Sequence, residues 1–289
     1  MHPKLKVKPI PGKYYFITVN ELDEIDIVEE ISNYLYRELK KANDILFEMN
    51  YQFRRATEVF FNLEDYKRVL DLHLIKLASP GTHADYGELA LIDVNRVINN
   101  IFSSFKVFVD HFEIYYRKSF GETSTKYIEA KAILNSAYVN NFEYRFAYGL
   151  RNFSQHNQKY ILGKLSFEKT HNKSNYKLTP YVDKLLLIND NTLSKYLKID
   201  LKDYNLFFPI DPIINKFRKV FDEVADNLLN LEITERKSEI NLFYSYIKKY
   251  PNKYKVGFAE SVLINKVINF EIELIPQNLI IQTANGNCD

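Results

Sequence analysis

The chain has 289 residues, of which 46% are hydrophobic and 26% are charged, a composition that can bury a core and excludes a mainly disordered chain. Its formal net charge of only +2 excludes a global basic field, so any contact with nucleic acid must be local. A single cysteine, Cys288, excludes an internal disulfide framework and a zinc site built from cysteines within one chain.

The low content of helix breakers and the missing motifs narrow the class of protein further. Eight Gly and nine Pro in the whole chain favour helix over loop. The sequence has no glycine-rich phosphate loop, GxSxG elbow or CxxC pair, which argues against an ATPase, a serine hydrolase or a thiol-redox protein. It also has no apolar run of signal-peptide length at the start and no uncharged apolar run of membrane-span length, so we expect a cytoplasmic protein that does not enter a membrane.

The first part of the chain predicts short strands followed by helix. Residues 4–8 alternate polar and apolar side chains, and the run from Tyr14 to Val19 is β-branched and aromatic. From Asn20 an acidic first turn predicts a helical stretch of two or three helices that continues to about Ala78.

Breaks and apolar stripes predict the helices that follow. The residues from Ser79 to Thr82 interrupt the helical pattern, and the next long helix, whose apolar side chains recur every three or four residues, ends at Gly121. Ser124 or Thr125 begins a further helix, whose apolar residues repeat every four positions and lead directly to Arg151.

Beyond residue 156 the pattern changes. The runs from Tyr160 to Glu168 and from Tyr176 to Ile188 predict a β-hairpin. Asp211 begins another long helix, which extends towards Tyr250. The run from Phe270 to Gln282 predicts one or two short strands.

Together these elements predict a mainly α fold, a helical bundle of about five or six helices with small β-hairpin additions. The predicted organisation has short N-terminal strands in residues 1–20 and a helical bundle in residues 21–158. Residues 159–289 hold the β-hairpin and a long helix, either as a separate domain or as part of the same one.

A candidate for chemistry lies at the end of the predicted helix. His156 can move protons near neutral pH, and Arg151 can supply the fixed positive charge that a phosphorane needs. In one regular helix these two positions are roughly 140° apart, so a break in the helix or a second chain is needed. Asn152 and His156 are four residues apart and are neighbours, so the amide can fix the tautomer of the imidazole.

The segment Arg151-Asn152-Phe153-Ser154-Gln155-His156, at the end of a long helix, resembles the motif of the HEPN superfamily. The resemblance covers roughly residues 84–158. It implies an all-α bundle that dimerises so that two motifs face each other and form a composite, metal-independent endoribonuclease centre that uses no cofactor. The resemblance implies that Arg151, Asn152 and His156 occupy the positions that are catalytic in this superfamily.

The resemblance also implies partners and biological roles. Members of the superfamily serve as toxins, as effectors of defence against phage or as RNA-processing enzymes. For this chain it implies RNA as substrate, a homodimer, and a cognate inhibitor or a defence-system partner. One branch of the family carries a tyrosine two residues after the histidine, where this sequence has Gln158.

A second region interleaves basic and aromatic side chains, which can follow a phosphate backbone while rings stack on unpaired bases. We call it the C-terminal basic–aromatic stretch; it comprises Tyr246, Lys248, Lys249, Tyr250, Lys253, Tyr254 and Lys255. It is a weaker prediction of an RNA-binding surface, because clusters of this kind at helix ends are often solvated lysines that complement the helix dipole. The histidines have no spacing that predicts a metal site.

The sequence therefore leads to two hypotheses. The first is an endoribonuclease of HEPN type that cleaves single-stranded or looped RNA by attack of the RNA's own 2′-hydroxyl. The alternative is a non-catalytic HEPN-like module that binds RNA or another protein.

Overall fold

A computed structural model of the chain describes residues 9–81, 85–156, 160–169, 176–250, 254–265 and 267–284, without the side chains of residues 155, 156, 267, 282 and 284. The described α-helices are α1 (Asn33–Ala78), α2 (Tyr86–Phe120), α3 (Thr125–Asn140), α4 (Phe142–His156), α5 (Lys184–Ile188), α6 (Lys195–Asp200), α7 (Asp211–Glu235), α8 (Lys237–Ile247) and α9 (Gln277–Ala284). The described strands are β1 (Tyr14–Val19), β2 (Ile25–Ile31), β3 (Leu162–Lys169), β4 (Tyr176–Asp183), β5 (Phe207–Pro209), β6 (Lys255–Ile264) and β7 (Val267–Leu274).

The fold is mainly α, as predicted, but the predicted count of five or six helices was too low. The described residues form nine α-helices, of which α5, α6 and α9 have only five, six and eight residues. Helices of this length are too short to show an apolar periodicity. No helix within the described ranges combines the length and the apolarity that a membrane crossing requires.

The chain divides into two compact units, one made of Met1–Tyr51 with Asn230–Asp289 and the other of Gln52–Leu229. Helices α1 and α7 contribute residues to both units. These divisions do not coincide with the predicted boundaries after residues 20 and 158. The HEPN-like bundle over residues 21–158 stays a prediction.

The first unit contains a four-stranded antiparallel sheet with the strand order β2-β1-β6-β7. Strand β1 is an inner strand, and Tyr15, Phe16 and Ile17 are at most 1% exposed, which explains why its sequence is continuously apolar. The strand predicted from Tyr14 to Val19 is confirmed. The strand predicted for residues 4–8 lies outside the described residues.

The helix predicted from Asn20 is wrong over its first part. The side-chain oxygen of Asn20 accepts hydrogen bonds from the backbone N–H groups of Leu22 and Glu24, both at 2.9 Å, and so closes a turn between β1 and β2. The helix begins only at Asn33. It then continues unbroken to Ala78 instead of forming two or three helices, since no glycine or proline interrupts it.

The second unit is built around aromatic contacts between its helices. The ring of Phe105 on α2 meets the ring of Tyr144 on α4 at 4.8 Å and that of Phe217 on α7 at 5.0 Å, both edge to face. The predicted long helix up to Gly121 is confirmed as α2. The predicted start of the next helix is also confirmed, because the Ser124 side chain accepts a hydrogen bond from the Tyr127 backbone N–H at 3.1 Å.

Two helices that the sequence predicts as continuous are interrupted. The helix that begins after Ser124 ends at Asn140, because Asn141 has extended backbone angles (φ −121°, ψ 118°), and α4 begins at Phe142. The helix from Asp211 towards Tyr250 is divided at Arg236 into α7 and α8. Neither interruption has a proline or glycine to mark it in the sequence.

The predicted β-hairpin is confirmed as β3 and β4, which form a three-stranded antiparallel sheet with β5. The strand-like run up to Ile188 was predicted too long, because Asp183 caps α5 by accepting a hydrogen bond from the Leu185 N–H at 2.9 Å. The final predicted strands are corrected to β7 and α9, since the helix starts directly after Pro276.

Candidate active site

Helix α4 carries the predicted motif, and its apolar face is buried in the second unit. Phe146 and Leu150 are fully buried, and Phe153 is 1% exposed. The ring of Phe146 contacts those of Phe102 on α2 and Phe208 on β5, at centroid distances of 6.3 and 6.2 Å. These contacts fix the orientation of α4 up to its last turn, so that its polar residues are presented from a rigid element.

Gly149 allows helix α6 to approach α4 closely. A Cβ atom at this position would lie 2.4 Å from Leu197 Cδ2 and 3.1 Å from Leu193 Cδ2. Leu150, the residue before Arg151, is fully buried, so α4 is closely packed immediately before the predicted motif.

Arg151 and Asn152 follow this buried segment and are both partly exposed. Arg151 Nη1 donates a long hydrogen bond of 3.4 Å to Asn152 Oδ1, and the Ser154 hydroxyl donates to the Arg151 backbone oxygen at 3.0 Å. Within the described part of the chain no carboxylate forms an ion pair with Arg151. The guanidinium thus retains donors and a positive charge for an anion.

His156 is the last residue of α4, and its side chain lies outside the described part of the chain. The backbone is helical from Arg151 to His156 without interruption. Positions 151 and 156 are therefore roughly 140° apart around the helix axis, whereas positions 152 and 156 are neighbours along one face. Either a break in the helix or a second chain could bring Arg151 and His156 together. The helix has no break between them, so the second chain is the alternative that is compatible with the structure.

Arg145, six residues earlier on α4, has a different environment. Its Nε donates to Asp200 Oδ2 at 2.9 Å, and its Nη1 donates to the backbone oxygens of Tyr138 and Val139 at 2.8 and 2.7 Å. Its side chain is only 13% exposed. This arginine joins α4 to α3 and α6, and its charge is compensated within the fold.

A cavity of about 360 Å³ lies beside Arg145 and does not include Arg151. It is lined by Tyr138, Val139, Arg145, Tyr196, Ile199 and Asp200. The charged groups on its wall already bind each other, so the remaining lining is mainly apolar. The cavity therefore offers little for a phosphate, and the candidate site stays at the end of α4.

The C-terminal basic–aromatic stretch is partly used in the packing of the first unit. The ring of Tyr246 lies 4.8 Å from that of Phe16, which is fully buried, and the ring of Tyr250 lies 6.2 Å from it. Burial and, to a lesser extent, the charge of Glu29 raise the pKa of Tyr250. Two of the predicted stacking rings therefore contact the sheet.

The lysines of this stretch are mostly exposed. Lys248 and Lys249 lie in the turn after α8, and Lys249 Nζ is 5.0 Å from the centroid of the Tyr246 ring. Lys255 begins β6 and forms an exposed ion pair with Asp23 at 3.6 Å. Lys253 lies outside the described residues, and Tyr254 is partly exposed. The structure brings together the two lysines of the turn, while RNA binding by the stretch stays a prediction.

A second basic–aromatic region, which the sequence analysis did not single out, lies on the β3–β4 hairpin. Phe167 and Tyr176 stack with ring centroids 4.9 Å apart and planes inclined by 7°, and Lys169 Nζ lies 5.8 Å from the Tyr176 centroid. We call Phe167, Lys169 and Tyr176 the hairpin surface. Its signal in the sequence is the alternation of lysine and aromatic residues in a predicted hairpin.

His73 is the centre of a hydrogen-bonded group that the sequence did not predict. Its Nδ1 lies 2.8 Å from the Tyr86 hydroxyl and its Nε2 lies 3.0 Å from Asp93 Oδ2, and the imidazole is buried. Arg96 also binds Asp93, at 2.7 Å. The group links α1 to α2. No group of three or more His, Cys, Asp or Glu residues that could hold a metal ion occurs in the described ranges.

Comparison of the chain with family models, with curated proteins and with solved structures found no match.

Proposed function

We propose that this chain is a metal-independent endoribonuclease of HEPN type, centred on Arg151, Asn152 and His156. The observation that carries the proposal is the contrast on α4 itself: Arg145 is bound by a carboxylate and two carbonyl oxygens, whereas no described carboxylate pairs with Arg151. An arginine on a rigid, buried helix without a compensating carboxylate can bind a phosphate in the two-point geometry that its planar group favours.

The proposed reaction is an internal transesterification. His156 accepts the proton of an RNA 2′-hydroxyl, whose oxygen attacks the adjacent phosphorus. The bond from phosphorus to the 5′-oxygen breaks, and that oxygen takes up a proton from the imidazolium formed at His156 as it leaves, so that the number of protons is conserved. Arg151 stabilises the charge of the phosphorane between these steps. The products are an RNA with a 2′,3′-cyclic phosphate and an RNA with a 5′-hydroxyl, so neither a metal ion nor an organic cofactor is required.

Asn152 has a positioning role in this proposal. Its side-chain oxygen already contacts Arg151, and its position is one helical turn from His156. It can therefore orient the guanidinium, the imidazole or both.

The active form is proposed to be a homodimer. Because α4 is helical through residue 156, positions 151 and 156 of one chain point to different sides of the helix, and a second copy can complete each site. Co-expression of Arg151→Ala and His156→Ala chains with two different tags tests this arrangement. A shared site restores cleavage in the mixed dimer, whereas sites contained within single chains leave it inactive.

The test of the function is cleavage of a mixed RNA pool in the presence of EDTA. The wild-type protein is expected to cleave it and to leave 2′,3′-cyclic phosphate ends, whereas His156→Ala and Arg151→Ala cleave at least about 100-fold more slowly. No cleavage by any of the three, or equal cleavage by all of them, would contradict the proposal. The first of these results, together with retained RNA binding, would favour the non-catalytic binding module.

A further inference from the structure

The three residues of the hairpin surface lie on one face of the β3–β4 hairpin. Lys169 is the register partner of Tyr176, and Phe167 is the partner of Leu178, so their side chains share a face. Leu178, directly opposite Phe167 on this face, is only 6% exposed. Phe167 and Tyr176 are 37% and 38% exposed, so the two stacked rings are partly exposed to solvent.

The arrangement of these rings suits a further planar ring. Their planes differ by only 7°, so a third ring can continue the stack, in the way that unpaired bases stack on aromatic side chains. The ammonium group of Lys169 lies over the Tyr176 ring, 5.8 Å from its centroid, and provides a cation at the stack. A nucleotide has the two matching parts, a planar base and a phosphate.

The charge of the hairpin complements such a ligand. Residues 162–183, the two strands with the segment between them, contain four lysines, Lys164, Lys169, Lys173 and Lys177, against two acids, Glu168 and Asp183, so their local net charge of +2 equals that of the whole 289-residue chain. The Ser166 hydroxyl donates a hydrogen bond to Glu168. Among the described residues no carboxylate forms an ion pair with Lys164, Lys169 or Lys177. The hairpin is therefore a local basic region on a nearly neutral protein.

The hairpin also has a fixed connection to the helices that carry the candidate site. Leu162, six residues after His156, donates its backbone N–H to the Asn95 side-chain oxygen on α2 at 3.0 Å, and this bond is buried. The base of β3 is thereby attached to the helix whose Phe102 contacts α4. A ligand on the hairpin is bound to the same compact unit as Arg151.

We propose that the hairpin surface binds single-stranded RNA, with an unpaired base stacked on the Phe167–Tyr176 pair and a phosphate beside Lys169. The identity of the ligand as RNA rests on the proposed function, whereas the need for an unpaired base follows from the exposed rings. Duplex RNA does not fit, because the faces of its bases are already stacked within the helix.

The test measures RNA binding without cleavage. A fluorescein-labelled single-stranded RNA of twelve nucleotides is titrated with the His156→Ala protein, and with the same protein carrying either Phe167→Leu or Lys169→Gln, by fluorescence anisotropy. Phe167→Leu retains an apolar side chain but removes the ring, and we expect it to raise Kd about tenfold. Phe167→Trp restores a ring and should restore the affinity.

The lysine has a matched control. Lys126→Gln removes the same charge from another lysine that lies over an aromatic ring, that of Phe120, outside both basic–aromatic regions. Lys169→Gln should weaken binding and reduce the slope of log Kd against log salt by about 0.7, the value for one phosphate contact on a single strand. Lys126→Gln should leave both quantities unchanged.

Two results would overturn this inference: affinities of Phe167→Leu and Lys169→Gln equal to that of the His156→Ala parent, or equally tight binding of duplex RNA that does not depend on Phe167. Thermal unfolding of each variant verifies that the hairpin substitutions leave the protein folded. RNA cleavage by the wild type with no effect of the hairpin variants contradicts the hairpin proposal alone. Binding that depends on the hairpin, without cleavage, contradicts the endoribonuclease alone.

Discussion

Arg145 and Arg151 belong to the same helix, six residues apart, and their surroundings assign them opposite roles. Arg145 is 13% exposed at its side chain, and its guanidinium binds Asp200 and two backbone oxygens. Arg151 is partly exposed, contacts the neutral amide of Asn152, and has no carboxylate partner in the described part of the chain. An arginine whose charge is compensated within the fold stabilises structure, whereas one without a compensating carboxylate is available to a ligand.

The largest expected effect is that of a substitution at His156, which belongs with Arg151 to the proposed site. His156→Ala should reduce RNA cleavage by about 10³-fold, because it removes the group that transfers protons. The matched control is His111→Ala, which removes an exposed histidine from α2. Both variants are measured by single-turnover cleavage of one labelled RNA. A similar loss in the two variants would show that the assay does not report on a site at α4.

Arg145→Ala should act on stability and not on chemistry. The substitution removes three hydrogen bonds and leaves Asp200 without its cation, at an expected cost of about 2–3 kcal/mol in the free energy of unfolding. Thermal unfolding followed by circular dichroism should show a midpoint lower by roughly 5 °C. The cleavage rate of the folded fraction, measured well below that midpoint, should remain within about twofold of the wild type. A large loss of rate there would place Arg145 in the site as well.

Asn152 allows a graded test of the charge at Arg151. Asn152→Ala should reduce cleavage by about tenfold, because it removes an orienting hydrogen bond but no charge. Asn152→Asp should reduce it further, since a carboxylate next to Arg151 would recreate the compensated environment that Arg145 has. The measurement is the cleavage rate of each variant in the same RNA assay. If Asp proved better tolerated than Ala, the charge of Arg151 would not be the property that matters.

A third arginine extends the comparison and gives the smallest effect. Burial acts to raise the pKa of Asp93, but hydrogen bonds from Arg96 and His73 outweigh it and lower that pKa. Because the pKa is lower in the folded protein than in the unfolded chain, the stabilising contribution is present above the ordinary carboxyl range and is lost as the pH falls through the lowered value. Asp93→Asn should lower the unfolding midpoint at pH 7 by about 2 °C.

The same variant should approach the wild type as the pH falls. Unfolding midpoints measured from pH 7 to pH 3 are expected to converge below about pH 4. A difference that stayed constant with pH would mean that the ionised form of Asp93 contributes nothing.

The elements that the sequence predicted correctly are those with local signals. The apolar stripe of α2, the Ser124 cap and the run from Tyr14 to Val19 each contain enough information within one segment. The motif at the end of α4 was visible for the same reason, since its residues are close along the chain.

The elements that were missed depend on distant partners. Strand β6, which the sequence did not predict, pairs with β1 so that Glu260 is in register with Tyr14, and no local pattern shows that pairing. The Arg145–Asp200 pair joins residues 55 positions apart, and the sequence alone gives no reason to separate Arg145 from Arg151. The hairpin surface likewise becomes visible only when the register places Phe167 beside Tyr176.

The most direct test of the account is a paired measurement on Arg151→Ala: the single-turnover rate of RNA cleavage in EDTA and the midpoint of thermal unfolding. Arg117→Ala, which removes an exposed arginine from the last turn of α2, is the matched control. We predict that Arg151→Ala cleaves at least about 100-fold more slowly than the wild type, with a midpoint unchanged within about 2 °C, and that the control changes neither. A wild-type cleavage rate with a clearly lowered midpoint would make Arg151 a second structural arginine like Arg145 and would contradict the proposed site.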